Sequence, residues 1–287
     1  MNLAEYLAER SAHVDRALDD VLPAAETQPR VLHEAMRYSV FSGGKRIRPV
    51  LCMAAAEAAG GSAEDALWPA LALELLHAYT LIHDDLPCMD DDDMRRGKPS
   101  LHKAFGEANA VLAGDALQAL AFEVAARPAP GERYEPVRIV TELAVAAGSH
   151  GVIGGQVEDL AAVDTDPDRE TVEFIHLHKT ADLFRASMRM GALAAGATRK
   201  TLAALTTYGT CLGLAFQITD DLLDAADAAP TDESAGELSC LSVFTESEAR
   251  EQAAHFIHEA RESLKGLDEQ GTVPLTAIAD FVLRRDS

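Results

Sequence analysis

The 287-residue chain carries 47 Asp and Glu against 25 Lys and Arg, a net charge of −22, which excludes binding of nucleic acid or an anionic membrane by bulk electrostatics. Hydrophobic residues make up 48% and aromatics 5%; Ala and Leu dominate and β-branched runs are scarce, so the composition points to an all-α fold with ample material for a core. The four cysteines, Cys52, Cys88, Cys211 and Cys240, form no C-x-x-C pair, and a chain of this length needs no disulfide staples, which points to a reducing, cytoplasmic setting.

Leu3, Leu7 and Val14 recur at helical spacing and predict an amphipathic N-terminal helix. Its first residues include acids where a signal peptide is basic and then apolar. Pro23 and Pro29 bracket a loop, and Val31 to Phe41 predicts a second helix stopped by Gly43-Gly44. Pro49 suits the first turn of a helix running to Gly60-Gly61. Pro69 opens another, from Ala70 to Leu86, which Pro87 closes. Asn109 to Ala126 and Pro136 to Ala147 follow, ended by Pro128 and by Gly148. Thr171 to Ala195 and Thr201 to Ala226 are long and apolar, Glu246 to Lys265 is charged on one face, and Pro274 to Arg285 is the last. The uncharged run from Thr201 to Thr219 reaches the length of a membrane span. Its Thr, Gly and Gln residues, and the aspartates that follow directly, favour a buried core helix and no membrane insertion. No linker and no fixed-period repeat divides the chain, so residues 1–287 are expected to form one domain, a bundle of roughly ten helices.

The chemistry concentrates where apolar helices end. Six acids stand between Asp84 and Asp93, in the stretch His83-Asp84-Asp85-Leu86-Pro87-Cys88-Met89-Asp90-Asp91-Asp92-Asp93. As surface decoration they would repel one another; hard divalent cations recruit such carboxylate oxygens. A solvated acidic turn is the bland alternative, but it gives no reason for Asp84 and Asp85 to end a buried helix. A second group, Asp220-Asp221-Leu222-Leu223-Asp224, follows another apolar run, and its i,i+4 spacing puts Asp220 and Asp224 on one face. Cations are few, yet Gly43-Gly44-Lys45-Arg46-Ile47-Arg48 places three at a glycine-started helix entry, a geometry that suits phosphate. Arg95 and Arg96 follow the first acidic group, and His176, His178, Lys179 and Thr180 sit within a helix. Carboxylates that hold metal, beside guanidinium and ammonium groups, suit a diphosphate. Taken singly, Lys45 or Arg48 could be a surface cation, and His77 a core histidine.

These motifs, in this order, resemble the trans-prenyl diphosphate synthases of the bacterial farnesyl/geranylgeranyl type. The resemblance spans nearly the whole chain. It rests on Gly43-Gly44-Lys45-Arg46-Ile47-Arg48-Pro49, Asp84-Asp85-Leu86-Pro87-Cys88-Met89-Asp90, Gly114-Asp115, Gly154-Gly155-Gln156 with Asp159-Leu160, His178-Lys179-Thr180, and Phe216 to Asp224. It implies the isoprenoid synthase fold, all-α around a central cavity, and a homodimer. It implies that Asp84, Asp90, Asp220 and Asp224 hold magnesium, three ions in all, with Asp85 in support. Arg95, Lys179, Thr180 and Gln217 would face an allylic diphosphate, and Lys45, Arg48, His77 and Arg96 would bind isopentenyl diphosphate. Arg46 and Asp91 to Asp93 would pair with neighbours or tune the field. The implied reaction is ionisation of the allylic diphosphate, attack by the isopentenyl double bond, and loss of a proton to pyrophosphate. The family sets chain length at the fourth and fifth positions before the first motif, here Thr80 and Tyr79. Tyr79 favours a fifteen-carbon product, farnesyl diphosphate, with twenty carbons as the alternative.

The likeness breaks after Asp224. The family usually carries Gly-Lys pairs and then Gly-Lys-x-Thr-Tyr; here Glu237 stands where lysine is expected and Ser239-Cys240 replace Thr-Tyr. No lysine occurs between Lys200 and Lys265. Weakened catalysis is therefore expected, with a non-catalytic subunit as a second reading. A terpene cyclase on the same architecture is a third, which the Lys45/Arg48 site for a second diphosphate argues against.

Overall fold

The structure, a computed structural model, describes residues 1–128, 134–163, 165–227 and 239–284. Among them are thirteen α-helices: α1 (Leu3–Val21), α2 (Arg30–Val40), α3 (Ile47–Ala58), α4 (Leu67–Asp84), α5 (Leu101–Phe105), α6 (Glu107–Ala125), α7 (Pro136–Ala147), α8 (Val152–Ala162), α9 (Arg169–Ile175), α10 (Asp182–Ala194), α11 (Arg199–Asp227), α12 (Glu246–Ser263) and α13 (Glu269–Arg284). The only strands among the described residues are Met94–Arg95 and Lys98–Pro99, a two-stranded turn.

α4 is apolar nearly all round. Leu71, Leu73, Leu75 and Leu76 are fully buried, as expected of a helix at the centre of a bundle; truncating any one to Ala would cost about 2–5 kcal/mol. α6 packs along it, while α3 and α11 pack against α10. The α3–α10 approach depends on Gly191, where a Cβ would stand 1.9 Å from the Cys52 carbonyl oxygen. α11 is long and apolar enough to cross a membrane; here it packs on α10, α12 and α13 and buries Leu205, Tyr208, Leu212, Ala215 and Ile218.

Three differences from the sequence expectations bear on the site. The stretch expected as one helix from Thr171 to Ala195 is interrupted by a π-helical turn, His176–Ala181. α8 was hidden by its glycines, Gly151, Gly154 and Gly155. α13 begins at Glu269, before Pro274, because Asp268 receives the Gly271 N–H at 2.8 Å and so starts the helix; Arg285 lies outside the described residues.

Candidate active site

The first acidic group extends from the buried end of α4. The chain turns tightly, the Asp90 N–H donating to the Asp84 carbonyl at 2.9 Å. Burial pushes the Asp84 carboxyl up to about 7; Lys179 and Arg95 outweigh the repulsion from Asp90 and Asp85 but only partly offset the burial. Burial likewise raises Asp90. Asp85, 3% exposed, serves as an anchor instead. Arg95 donates to its Oδ1 through both Nε and Nη2, and Nη2 also reaches Asp92 Oδ2 at 2.7 Å. Asp85 thus holds Arg95 in place.

Facing this group is the π-helical turn. Lys179 donates to Asp159 of α8, and its charge is felt at Asp84 and Asp90. α8 lies so close that a Cβ at Gly155 would stand 2.2 Å from the Lys179 nitrogen. Gln156, the next residue, is buried, and both of its side-chain amide atoms lack a hydrogen-bond partner among the described residues. Such an amide is available to a ligand.

The second acidic group ends α11. Thr180 Oγ1 donates to Gln217 Oε1 at 2.6 Å, Gln217 Nε2 donates to Asp221 Oδ1 at 2.8 Å, and the Cys240 N–H donates to Asp221 Oδ2 at 2.6 Å. His176 Nε2 lies 3.3 Å from the same oxygen. Although burial raises its carboxyl, these partners, led by His176, hold Asp221 below the usual range. The inner aspartate therefore ties helices together, leaving Asp220 to face the cavity.

That cavity, about 630 Å³, is lined by Gly44, Lys45, Arg48, Glu74, His77, Arg96, Thr180, Phe216, Gln217 and Asp220 among others. Arg48 stacks over the Phe184 ring at 5.0 Å and donates to His77 Nε2 at 3.2 Å. Burial lowers its guanidinium to about 10, with Glu74 and Asp220 opposing the fall. Burial and the neighbouring arginines push His77 well below the usual histidine range, so the ring is a neutral acceptor. Arg46, expected to pair with neighbours, does so: it bonds Glu74 at 2.6 Å, Asp15 at 2.9 Å and the Val40 carbonyl at 2.6 Å. Arg96 donates to the Gly43 carbonyl and lies against Gly44, where any Cβ would collide with it.

The structure therefore gathers Lys45, Arg48, His77, Arg96, Thr180, Gln217 and Asp220 on one cavity, and Asp84, Asp90, Arg95 and Lys179 beside the π-helical turn. Asp224 is exposed one turn beyond Asp220. Thr80 Oγ1 donates to the His77 carbonyl, and the Tyr79 ring packs edge-on against His83 at 4.8 Å; neither lines the cavity. Glu237 lies outside the described residues. The chain alone assigns no role to Glu74 or Asp221. Each had a signal: Glu74 is a lone acid in the apolar run Leu71 to Leu76, and Asp221 follows Asp220 at the buried end of α11. The motif carboxylates are hard oxygen donors, and Asp84, pushed up to about 7 by burial, is a carboxylate that a bound cation would stabilise; the residues fit magnesium.

A family model for polyprenyl synthetases matches residues 29–262. The chain belongs to the polyprenyl synthetase family. It is 43% identical, over all of its length and 79% of the relative's, to a chloroplastic geranylgeranyl pyrophosphate synthase of Capsicum annuum. It is equally identical to the large subunit 1 of a heterodimeric geranylgeranyl pyrophosphate synthase of Arabidopsis thaliana, covering 98% of this chain and 79% of that one. Among solved structures, an apo FPP/GFPP synthase of Zymomonas mobilis superposes with a TM-score of 0.89 at 38% identity, covering 98% of this chain and 99% of that one. This polyprenyl synthetase thus has the all-α isoprenoid synthase fold and is a prenyltransferase.

Proposed function

We propose that the protein is a magnesium-dependent synthase that condenses isopentenyl diphosphate with allylic diphosphates and extends the chain to twenty carbons. The observation that carries the reading is the convergence of two aspartate-ended apolar helices on cations otherwise scarce in a chain of net charge −22. Magnesium bound by Asp84, Asp90, Asp220 and Asp224 would neutralise the allylic diphosphate and so favour departure of pyrophosphate. Lys179 and Arg95, fixed by Asp159 and Asp85, orient that leaving group before the C–O bond breaks. Lys45, Arg48 and Arg96 hold the second diphosphate, and neutral His77 keeps the Arg48 fork aligned. The isopentenyl double bond attacks the allylic carbocation, and the proton lost from the new chain passes to a pyrophosphate oxygen. Buried apolar helix walls exclude water from the cation.

The names of the relatives support twenty carbons over the fifteen expected from Tyr79. The test is product analysis with isopentenyl diphosphate, magnesium and dimethylallyl, geranyl or farnesyl diphosphate in turn. Geranylgeranyl diphosphate should dominate. Mainly farnesyl diphosphate, with farnesyl diphosphate itself refused as substrate, would overturn the product assignment.

We further propose that residues 1–287 act as one domain and pair as a homodimer in the cytoplasm. α6 buries Ala110, Ala113 and Leu117 yet exposes Val111 and Leu112, an apolar residue pair that a second copy would cover. Light scattering on the purified chain should return twice 30.6 kDa; a monomer at micromolar concentration would overturn the pairing.

A further inference from the structure

The loop after α4 carries acids that the proposed reaction does not use. Asp91 and Asp93 are exposed, and His102 of α5 is buried at 6% exposure beside them. One ligand atom from each of the three lies within 4.8 Å of the others. We propose that Asp91, Asp93 and His102 form a site for a divalent first-row transition ion of the zinc type, separate from the magnesium aspartates.

The histidine is the decisive residue. Its Nδ1 lies 3.1 Å from Ser100 Oγ. With Nδ1–H donating to that hydroxyl, Nε2 presents a lone pair, the arrangement in which a fixed imidazole ligates metal. Nε2 has no hydrogen-bond partner among the described residues, and a buried polar atom so placed is costly. The nearest acid, Asp91 Oδ1, is 4.0 Å away, too far for a hydrogen bond. A lone pair facing a carboxylate across such a gap is stabilised by a cation between them. At metal–ligand distances of about 2.1 Å, tetrahedral donors stand about 3.4 Å apart. Rotation of the two exposed carboxylates closes the difference. One imidazole with two carboxylates selects zinc, cobalt or nickel over magnesium, and three protein ligands leave a position for water.

Asp93 is already engaged by Lys103, whose Nζ lies 2.6 Å from Oδ1. The ion competes with this ammonium, so Lys103 sets an upper limit on affinity. Occupancy would also brace the segment between Asp91 and His102, which carries Arg95 and Arg96 and is tied by the Ser100 N–H to the Asp93 carbonyl at 2.9 Å.

The test uses the full chain freed of metal, without any diphosphate, titrated with Co²⁺ and followed by visible absorption. One equivalent should bind with the bands of a nitrogen- and oxygen-ligated ion. H102Q and D91N should each weaken binding by about tenfold or more, K103M should strengthen it, and the double variant D84N/D220N should leave it unchanged. Because His102 is buried, ¹⁵N resonances of the unaltered protein provide a readout free of folding effects: Zn²⁺ should shift His102 Nε2 before any other histidine. No binding, binding lost in D84N/D220N but kept in H102Q, or a first shift at another histidine would overturn the site.

Discussion

The Asp84 carboxyl, lifted by burial from 3.8 to about 7, makes the proposed binding of magnesium depend on pH. A carboxylate must lose its proton to ligate. At pH 6 about one Asp84 in ten is ionised and at pH 8 about nine in ten, so apparent magnesium affinity should fall by about tenfold from pH 8 to pH 6. Raising magnesium tenfold at pH 6 should recover the lost kcat/KM, and the acid limb of the profile should move to lower pH as magnesium rises. Calorimetry with magnesium and inorganic pyrophosphate, in buffers of different ionisation enthalpy, should count about one proton released at pH 6 and about a tenth of one at pH 8. Stability carries the opposite sign. Between about pH 4 and 7 the folded protein holds a proton that the unfolded chain has lost, so this group's contribution falls as pH rises through that window. Asp85 and Asp90, also raised, act in the same sense. An acid limb that stays fixed at every magnesium concentration, with no proton released, would refute this coupling.

Asp84→Ala and Asp220→Ala should each lower kcat by about 10²–10³, the usual cost of removing one electrostatic group, with the circular dichroism of the parent; near-parent turnover at saturating magnesium would refute their assignment to metal. Asp221→Asn turns an amide nitrogen toward one of two donors, Gln217 Nε2 or the Cys240 N–H. The lost acceptor should cost about 1–3 kcal/mol, seen as a rise in KM for the allylic diphosphate and a fall in kcat/KM of about five- to 150-fold, as steep as that energy implies. Glu237→Lys should raise kcat/KM for the allylic diphosphate by about ten- to a hundredfold if a cation is wanted there; steady-state kinetics showing no gain would mean the altered loop is no handicap.

Much of the architecture could be seen in the chain because it is written in proline, glycine and apolar period: α7 is bounded by Pro136 and Gly148, and α4 by apolar residues running up to Asp84. The aspartates stood out as candidate metal ligands because charge crowding at the end of an apolar helix has no cheap structural explanation. What escaped was reciprocal pairing between distant residues. Nothing local distinguishes Asp85, which grips Arg95, from Asp84, which does not, or tells that Asp221 turns inward to Cys240 while Asp220 faces the cavity. Those roles arise from which helix packs on which. The surroundings of Tyr79 escaped for the same reason: the size of its ring is visible in the chain, but its packing against His83 is not.

The π-helical turn at His176–Ala181 holds one more residue than an α-helical turn would, and that surplus has a genetic consequence. Each helical residue turns the chain by about 100°. Deleting a single codon in α9 or α10 would rotate everything before the deletion by that angle, whereas deleting one in the turn would remove only the surplus residue, let the turn close into unbroken α-helix and leave both flanking helices on their faces. The cost would fall on the turn itself, where the Lys179 backbone that Gly155 approaches and the Lys179–Asp159 pair would shift. A library of one-residue deletions tiled from α9 to α10 should therefore locate the turn as the place where a deletion costs activity but spares the fold.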